Sequence, residues 1–132
     1  MSRIEVAAGV VLSGQGNVLL CRRTGELAGL WEFPGGKREA RESFAVCLQR
    51  ELWEELRLRV TVAHEICQMP FTDAKKSLHF SFLLARACED AGLTLAAHDA
   101  ARWLSPAALS NYPLCAADAA FLALYPPETW EG

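Results

Sequence analysis

Four glutamates, Glu42, Glu51, Glu54 and Glu55, fall within the stretch Gly36 to Leu58, GKREARESFAVCLQRELWEELRL. The run from Phe44 to Leu56 contains no glycine or proline and is rich in good helix formers. Ser43, just before it, has a hydroxyl of the kind that caps a helix N-terminus. Residues three and four apart share a helix face, so a helix here sets Glu51 beside both Glu54 and Glu55, and Arg50 beside Glu54. Three carboxylates placed in this way repel one another. A hard divalent cation turns that repulsion into a binding site, because magnesium prefers oxygen ligands and keeps waters and substrate phosphates as its other partners. The plainer reading of an acidic run is a solvated helix face. Two features count against it. The same helix carries Phe44, Val46, Leu48, Leu52, Trp53 and Leu56, which calls for burial. It also follows Phe33-Pro34-Gly35-Gly36, a tight turn that exposes backbone groups.

The elements around this helix are readable in outline. Ile4 to Leu12 and Val18 to Arg23 read as strands, joined as a hairpin by the turn cluster Ser13 to Asn17. Leu30 to Pro34 is a short extended piece, since the residue before a proline is pushed out of helical geometry. An alternation at Leu58, Val60 and Val62 predicts a strand within Arg57 to Phe71, followed by a polar turn at Thr72 to Lys76. The apolar run Ser77 to Ala87 predicts a central strand, and Cys88 to Gly92 a turn. Leu93 to Leu104 reads as a loop leading to a short strand at Arg102 to Leu104. Ser105-Pro106 opens a helix, which Tyr112-Pro113 breaks. Ala116 to Leu124 is a last helix, ended by Pro126-Pro127 and followed by a loose tail. Early strands and late helices favour an α/β class, a mixed sheet between helices in three layers.

Composition narrows the function classes. A length of 132 residues with 52% hydrophobic and 22% charged residues predicts one globular domain, 1–132. A net charge of −3 gives no reason to expect a nucleic-acid polymer as partner. Five dispersed cysteines, Cys21, Cys47, Cys67, Cys88 and Cys115, fit small buried hydrophobes in a reducing compartment better than a disulfide framework or a zinc site. The start of the chain does not read as a signal peptide, and no apolar run is long enough to span a bilayer. The expectation is a cytoplasmic protein, monomeric or homodimeric, with no membrane partner.

Loop, helix and acids together resemble the Nudix box of the Nudix hydrolases. The pattern falls on Gly36, Glu42, Arg50, Glu51, Leu52, Glu54, Glu55 and Leu58, with one departure: Arg57 stands where that family has a helix-terminating glycine. The resemblance runs nearly end to end. Arg22-Arg23 and Leu30 to Lys37 are similar to the MutT branch of nucleoside triphosphate pyrophosphohydrolases. Arg102 to Pro106 and Tyr112 to Asp118 are similar to its bacterial CTP pyrophosphohydrolases. The resemblance implies a mixed β-sheet sandwiched between helices (α/β/α). It implies magnesium-dependent hydrolysis of (deoxy)nucleoside triphosphates to monophosphate and pyrophosphate, with manganese as an alternative ion, in the service of clearing damaged nucleotides and so of DNA repair. Two rivals are hydrolysis of another nucleoside diphosphate derivative and a catalytically weak nucleotide-binding or regulatory module.

Carried over residue by residue, the resemblance implies that Glu54 and Glu55 are the main metal ligands, helped by the Gly35 carbonyl. Glu51 is a ligand or the general base, and Arg50 fixes the carboxylates. Arg23 contacts the nucleotide, Phe33 lines the base pocket and Asp118 hydrogen-bonds the base edge. Trp31 and Trp103 read as core. His64, His79 and His98 are too far apart in sequence to be read as a ligand set, and His79 reads as a core histidine. A second departure is Ala97, where the branch usually has a glutamate that binds metal or orients water. Either the site is short of one ligand there or Asp99 substitutes from a shifted loop, and the intact box favours compensation by Asp99 or a nearby acid.

Overall fold

The computed structural model describes residues 3–73, 75–88 and 92–131. Ala74 in the turn expected at Thr72 to Lys76, and Glu89 to Ala91 in that expected at Cys88 to Gly92, lie outside them. The chain runs β1 (Ile4–Leu12), β2 (Val18–Arg23), β3 (Trp31–Glu32), β4 (Gly35–Lys37), α1 (Phe44–Leu56), β5 (Val60–Thr72), β6 (Ser77–Ala87) and β7 (His98–Leu104). A 3-10 helix (Pro106–Asn111), α2 (Ala116–Leu124) and a 3-10 turn (Pro127–Thr129) complete it.

The strands form one mixed seven-stranded sheet with the path β3-β2-β1-β6-β5. β1 and β6 pair in parallel from Ile4 opposite Leu78 to Leu12 opposite Arg86, and β5 pairs antiparallel with β6. β1 and β2 are antiparallel as a hairpin would be, but their register is confined to Leu12 opposite Val18. Beyond that point they diverge. β3 then pairs with β2 and β4 with β1, so the segment between them fills the gap. Pro34 bridges it, accepting the Gly9 N–H at 2.7 Å.

Side chains alternate across β1, and the two sets enter two cores. Ala7 and Val11 meet Leu48, Leu52 and Leu56 of α1, spaced four apart on one helix stripe and fully buried. Each such leucine contributes roughly 1.5–3 kcal/mol by leaving water. Ala8, Val10 and Leu12 meet Phe82, Leu109 and Phe121 on the opposite face, under the 3-10 helix and α2. The three-layer arrangement expected from the sequence is therefore present. The far side of α1 is less buried than its composition predicts, with Val46 and Trp53 exposed. Among the described residues no helix is long and apolar enough to cross a membrane, and all five cysteines are free.

Several boundaries differ from expectation. β5 runs the whole way from Val60 to Thr72, because two irregularities in its pairing with β6 break the alternation that would mark it. β7 starts at His98 instead of Arg102. The segment after Pro127 is held in place: Trp130 is buried, its Nε1 donates to Tyr125 O at 2.7 Å, and its carbonyl meets His64 Nε2 at 2.7 Å. His79 is only half-buried and is bonded to Gln68 Oε1 at 2.6 Å.

Arg57 ends α1 as a glycine would. It adopts φ 53°, ψ 36°, and its N–H returns to Leu52 O and Trp53 O. A side chain in this left-handed region costs roughly 1–2 kcal/mol. Its guanidinium lies 5.2 Å from the Trp53 ring centroid, which offsets part of that cost. Asp118, expected at a base edge, sits in the first turn of α2 with 4% of its surface exposed, its Oδ1 accepting the Phe33 N–H at 3.0 Å. Burial pushes this carboxyl up to about 8.

Two outcomes are expected. Arg57→Gly and Arg57→Ala both lose the contact with Trp53, but only glycine relieves the backbone. Chemical denaturation should therefore find the glycine variant more stable than the alanine one by about 1 kcal/mol, and equal stabilities would contradict the strain. For Asp118, a folded-state pKa above the unfolded value means that its contribution is full below about pH 4 and is lost as the pH rises through about 8. The melting midpoint of Asp118→Asn minus that of the wild type should grow between pH 5 and 8, at roughly 4 °C per kcal/mol. A pH-independent difference would show that the carboxyl ionises freely.

Candidate active site

Arg50 is the hub of the acidic segment. Ser43 Oγ accepts the Val46 N–H at 3.1 Å and fixes the start of α1 directly after Glu42. The Arg50 guanidinium then grips Glu42 with two bonds, Nε to Oε2 at 2.5 Å and Nη2 to Oε1 at 2.9 Å. Its Nη1 reaches Glu51 Oε1 at 3.1 Å and Glu54 Oε1 at 3.0 Å, and its Nη2 also donates to Lys37 O at 3.1 Å. Only a planar fork with five donors serves so many acceptors. The Arg50 contact and the Glu39 N–H hold the Glu42 carboxyl down at about 2, and the carboxylates hold Arg50 well above its ordinary value. Glu42 is thus the anchor of the clamp.

The clamp leaves Glu51 and Glu55 facing a cleft of about 420 Å³ at the divergence of β1 and β2, with Arg23, Glu32, Gly36 and His98 among its walls. Two glycines shape it. A Cβ on Gly35 would lie 1.8 Å from Ala7 O, so the pairing of β4 with β1 leaves no room for a side chain there. A Cβ on Gly36 would lie 2.3 Å from the Glu51 carboxyl carbon, which rests against the bare backbone of β4. Glu55 is mostly buried, and burial, then Glu51, then Glu32 and Glu54, raise its carboxyl well above the usual carboxylate range. Its Oε2 is buried with no hydrogen-bond partner among the described residues. An orphaned carboxylate oxygen beside two further carboxylates is the chemistry a divalent cation relieves. Among the described residues no three His, Cys, Asp or Glu side chains form a closed metal-binding group. The carboxylates present fit a hard divalent cation that keeps other oxygen ligands, and Arg23 and Lys37 line the same cleft.

The expected site residues do not all meet here. Glu51, Glu55, Gly35 and Arg23 do. Glu54 stays on the outer side of α1, 56% exposed and bonded to Arg50. The Phe33 ring is in the core on the other face of the sheet, edge-on to Phe82, Phe121 and Trp130, and Asp118 is buried beneath it, so neither lines the cleft. Ala97 is in the cleft wall. Asp99 does not make up for it: its Oδ1 is taken by Arg22 Nε at 2.7 Å, outside the cleft. Two residues were missed. Glu32 and His98 enter the cleft joined by a 2.9 Å bond from Nε2 to Oε2, and Glu32 Oε1 accepts from Arg23 Nη1 at 3.1 Å. A lone glutamate between the buried Trp31 and Phe33 was the available signal for the first.

The glycine pair yields a discriminating expectation. Gly35→Ala meets a backbone oxygen and should disrupt the fold, lowering the melting midpoint sharply. Gly36→Ala meets only the mobile end of Glu51. It should fold with a similar midpoint while losing at least tenfold in turnover, because the carboxylate is displaced by ångströms. Equal melting of the two variants would contradict the distinction.

Comparison with known proteins agrees with this geometry. Residues 3–125 match the NUDIX domain family. The chain is 39% identical over 132 residues to the CTP pyrophosphohydrolase of Escherichia coli (strain K12), covering 94% of this chain and 95% of that one. It is 41% identical over 61 residues to the 8-oxo-dGTP diphosphatase of Proteus vulgaris, covering 45% of this chain and 54% of that one. The fold superposes on the MutT NUDIX hydrolase from Burkholderia pseudomallei with a TM-score of 0.79 at 25% identity, covering 93% and 98% of the two chains. With Glu51, Glu55 and the glycine wall in one cleft and the Arg50 clamp behind it, the chain belongs to the Nudix family and is a Nudix hydrolase built on the Gly36–Leu58 box.

Proposed function

We propose that this Nudix hydrolase cleaves a nucleoside triphosphate to the monophosphate and pyrophosphate with magnesium as its ion. The observation that carries the reading is the unpartnered Glu55 oxygen beside Glu51 in an open cleft flanked by Arg23 and Lys37. Glu51 and Glu55, with the Gly35 carbonyl at the same wall, would hold the ion, and Glu54, bonded to Arg50 on the outer side of α1, would have to turn inward to be a further ligand. When bound, the ion supplies charge neutralisation on the phosphoryl oxygens and a more acidic water. Arg50 bonds Glu51 at the cleft wall, and Glu51 would serve either as a ligand of the ion or as the base that takes the proton of the attacking water. Arg23 contacts the phosphates. Asp118 and Phe33, expected at the base, stand outside the cleft wall and take no part in this reading. The relatives support two substrate candidates, CTP and 8-oxo-dGTP, and use of the second would be a clearance of damaged nucleotides.

The reading is tested by incubating CTP, dCTP, 8-oxo-dGTP and the normal deoxynucleotides with the protein and magnesium and identifying the products. Monophosphate and pyrophosphate are expected, with activity abolished by chelator and restored by magnesium. Glu55→Gln should lower kcat by roughly two orders of magnitude or more with the fold intact, because it removes an anionic ligand and little volume. Release of nucleoside diphosphate and orthophosphate, or full activity in Glu55→Gln, would contradict it.

A further inference from the structure

His98 has a placement that its neighbours in sequence do not explain. It is the first residue of β7, and its side chain is only 3% exposed. β7 pairs with β2 as Ala100 opposite Arg22 and then His98 opposite Arg23, so Asp99 is an extra residue at an irregularity in the ladder. In a regular strand His98 would share the face of Ala100, which packs in the Phe82 and Phe121 core. The extra residue turns the imidazole to the opposite face, towards α1 and Glu55. Bulges re-aim side chains in this way beside active sites.

The ring is held at one nitrogen and bare at the other. Nε2 meets Glu32 Oε2 at 2.9 Å, and the other oxygen of Glu32 is held by Arg23. A carboxylate only accepts, so Nε2 carries a hydrogen, and the neutral form of the ring has its lone pair on Nδ1, where a cation can take it. Nδ1 is buried without a partner, and it faces Glu55 Oε1 at 4.0 Å, while Glu55 Oε2 is also buried without a partner. The 4.0 Å separation is too long for a hydrogen bond. Two ligands each roughly 2.1 Å from one ion are about 3 Å apart at a right angle and about 4 Å apart when nearly opposite. An imidazole donating its second N–H to a carboxylate is the usual arrangement of a metal-bound histidine.

We propose that His98 Nδ1 and Glu55 together bind a divalent cation, making this a mixed imidazole and carboxylate site that prefers manganese and other first-row transition ions to magnesium. Imidazole adds little for magnesium, which takes oxygen ligands, and more for the transition ions. The inference rests on the metal-dependent reading above and goes beyond it by naming a nitrogen ligand and the ion class that the ligand selects.

The test uses the metal alone. Manganese is bound to the protein without nucleotide. Its affinity and that of magnesium are measured by calorimetry, and electron spin-echo spectroscopy looks for a nitrogen coupling to the bound manganese. His98→Gln keeps an amide donor for Glu32, His98→Ala removes the ring outright, and circular dichroism and melting identify a variant that still folds. The expected result is a nitrogen coupling in the wild type that changes when histidine is labelled with ¹⁵N and disappears in the folded His98 variant. Manganese affinity should fall roughly tenfold or more with it, while magnesium affinity changes less than about twofold. Manganese bound without a nitrogen coupling, and equally well by the His98 variant, would overturn the ligand assignment while leaving the carboxylate site standing. Manganese binding that Glu55→Gln does not weaken would overturn both.

Discussion

One guanidinium keeps the acidic cluster from flying apart. Arg50 holds Glu42 with two bonds and turns its remaining donor to Glu51 and Glu54, while the Lys37 carbonyl ties it to β4. Without it, the carboxylates of α1 and the loop before it would repel across a few ångströms. With it, the repulsion is concentrated at Glu55, whose carboxyl faces Glu51 and Glu32 and has no hydrogen-bonded cation of its own among the described residues. The site is therefore arranged so that a cation supplies what the protein withholds. Lysine could not replace Arg50, since a point charge cannot serve the two-pronged contact and the two single ones in one plane.

The sheet supplies the space. Because β1 and β2 part after one registered pair, their inner edges are taken up by β3 and β4, and the connecting turn brings Glu32, Gly35 and Gly36 to the same opening. The packing of Leu48, Leu52 and Leu56 onto the sheet sets the rotation of α1, and that rotation decides which glutamates look inward. Glu51 and Glu55, four apart, share the inward edge. Glu54 falls on the outer one. A hydrophobic stripe thus sets which carboxylates face the cleft.

Much of this was readable in the chain because the signals are local. The bounds of β1, β2, α1, β6 and α2 follow from unbroken apolar runs, a serine cap and proline stops. The clustering of Glu51 and Glu55 follows from helical spacing alone. What was not legible depends on register between distant segments. The extra residue at Asp99 reverses His98, and nothing near it in sequence announces that. Asp99 was the obvious acid to replace a missing one, yet Arg22, 77 positions earlier, takes it. Phe33 has the right type for a base pocket, but its ring is buried against Phe82, Phe121 and Trp130, all distant from it in sequence.

The claim on which the rest depends is that the folded site is strained by its own negative charge and that a divalent cation relieves it. The most direct measurement is the melting midpoint of the nucleotide-free protein as magnesium or manganese is added, against sodium chloride at matched ionic strength. Specific binding to the folded state should raise the midpoint in a saturable way that the sodium control does not reproduce. An equal rise with sodium chloride, or no rise with either divalent ion, would contradict it.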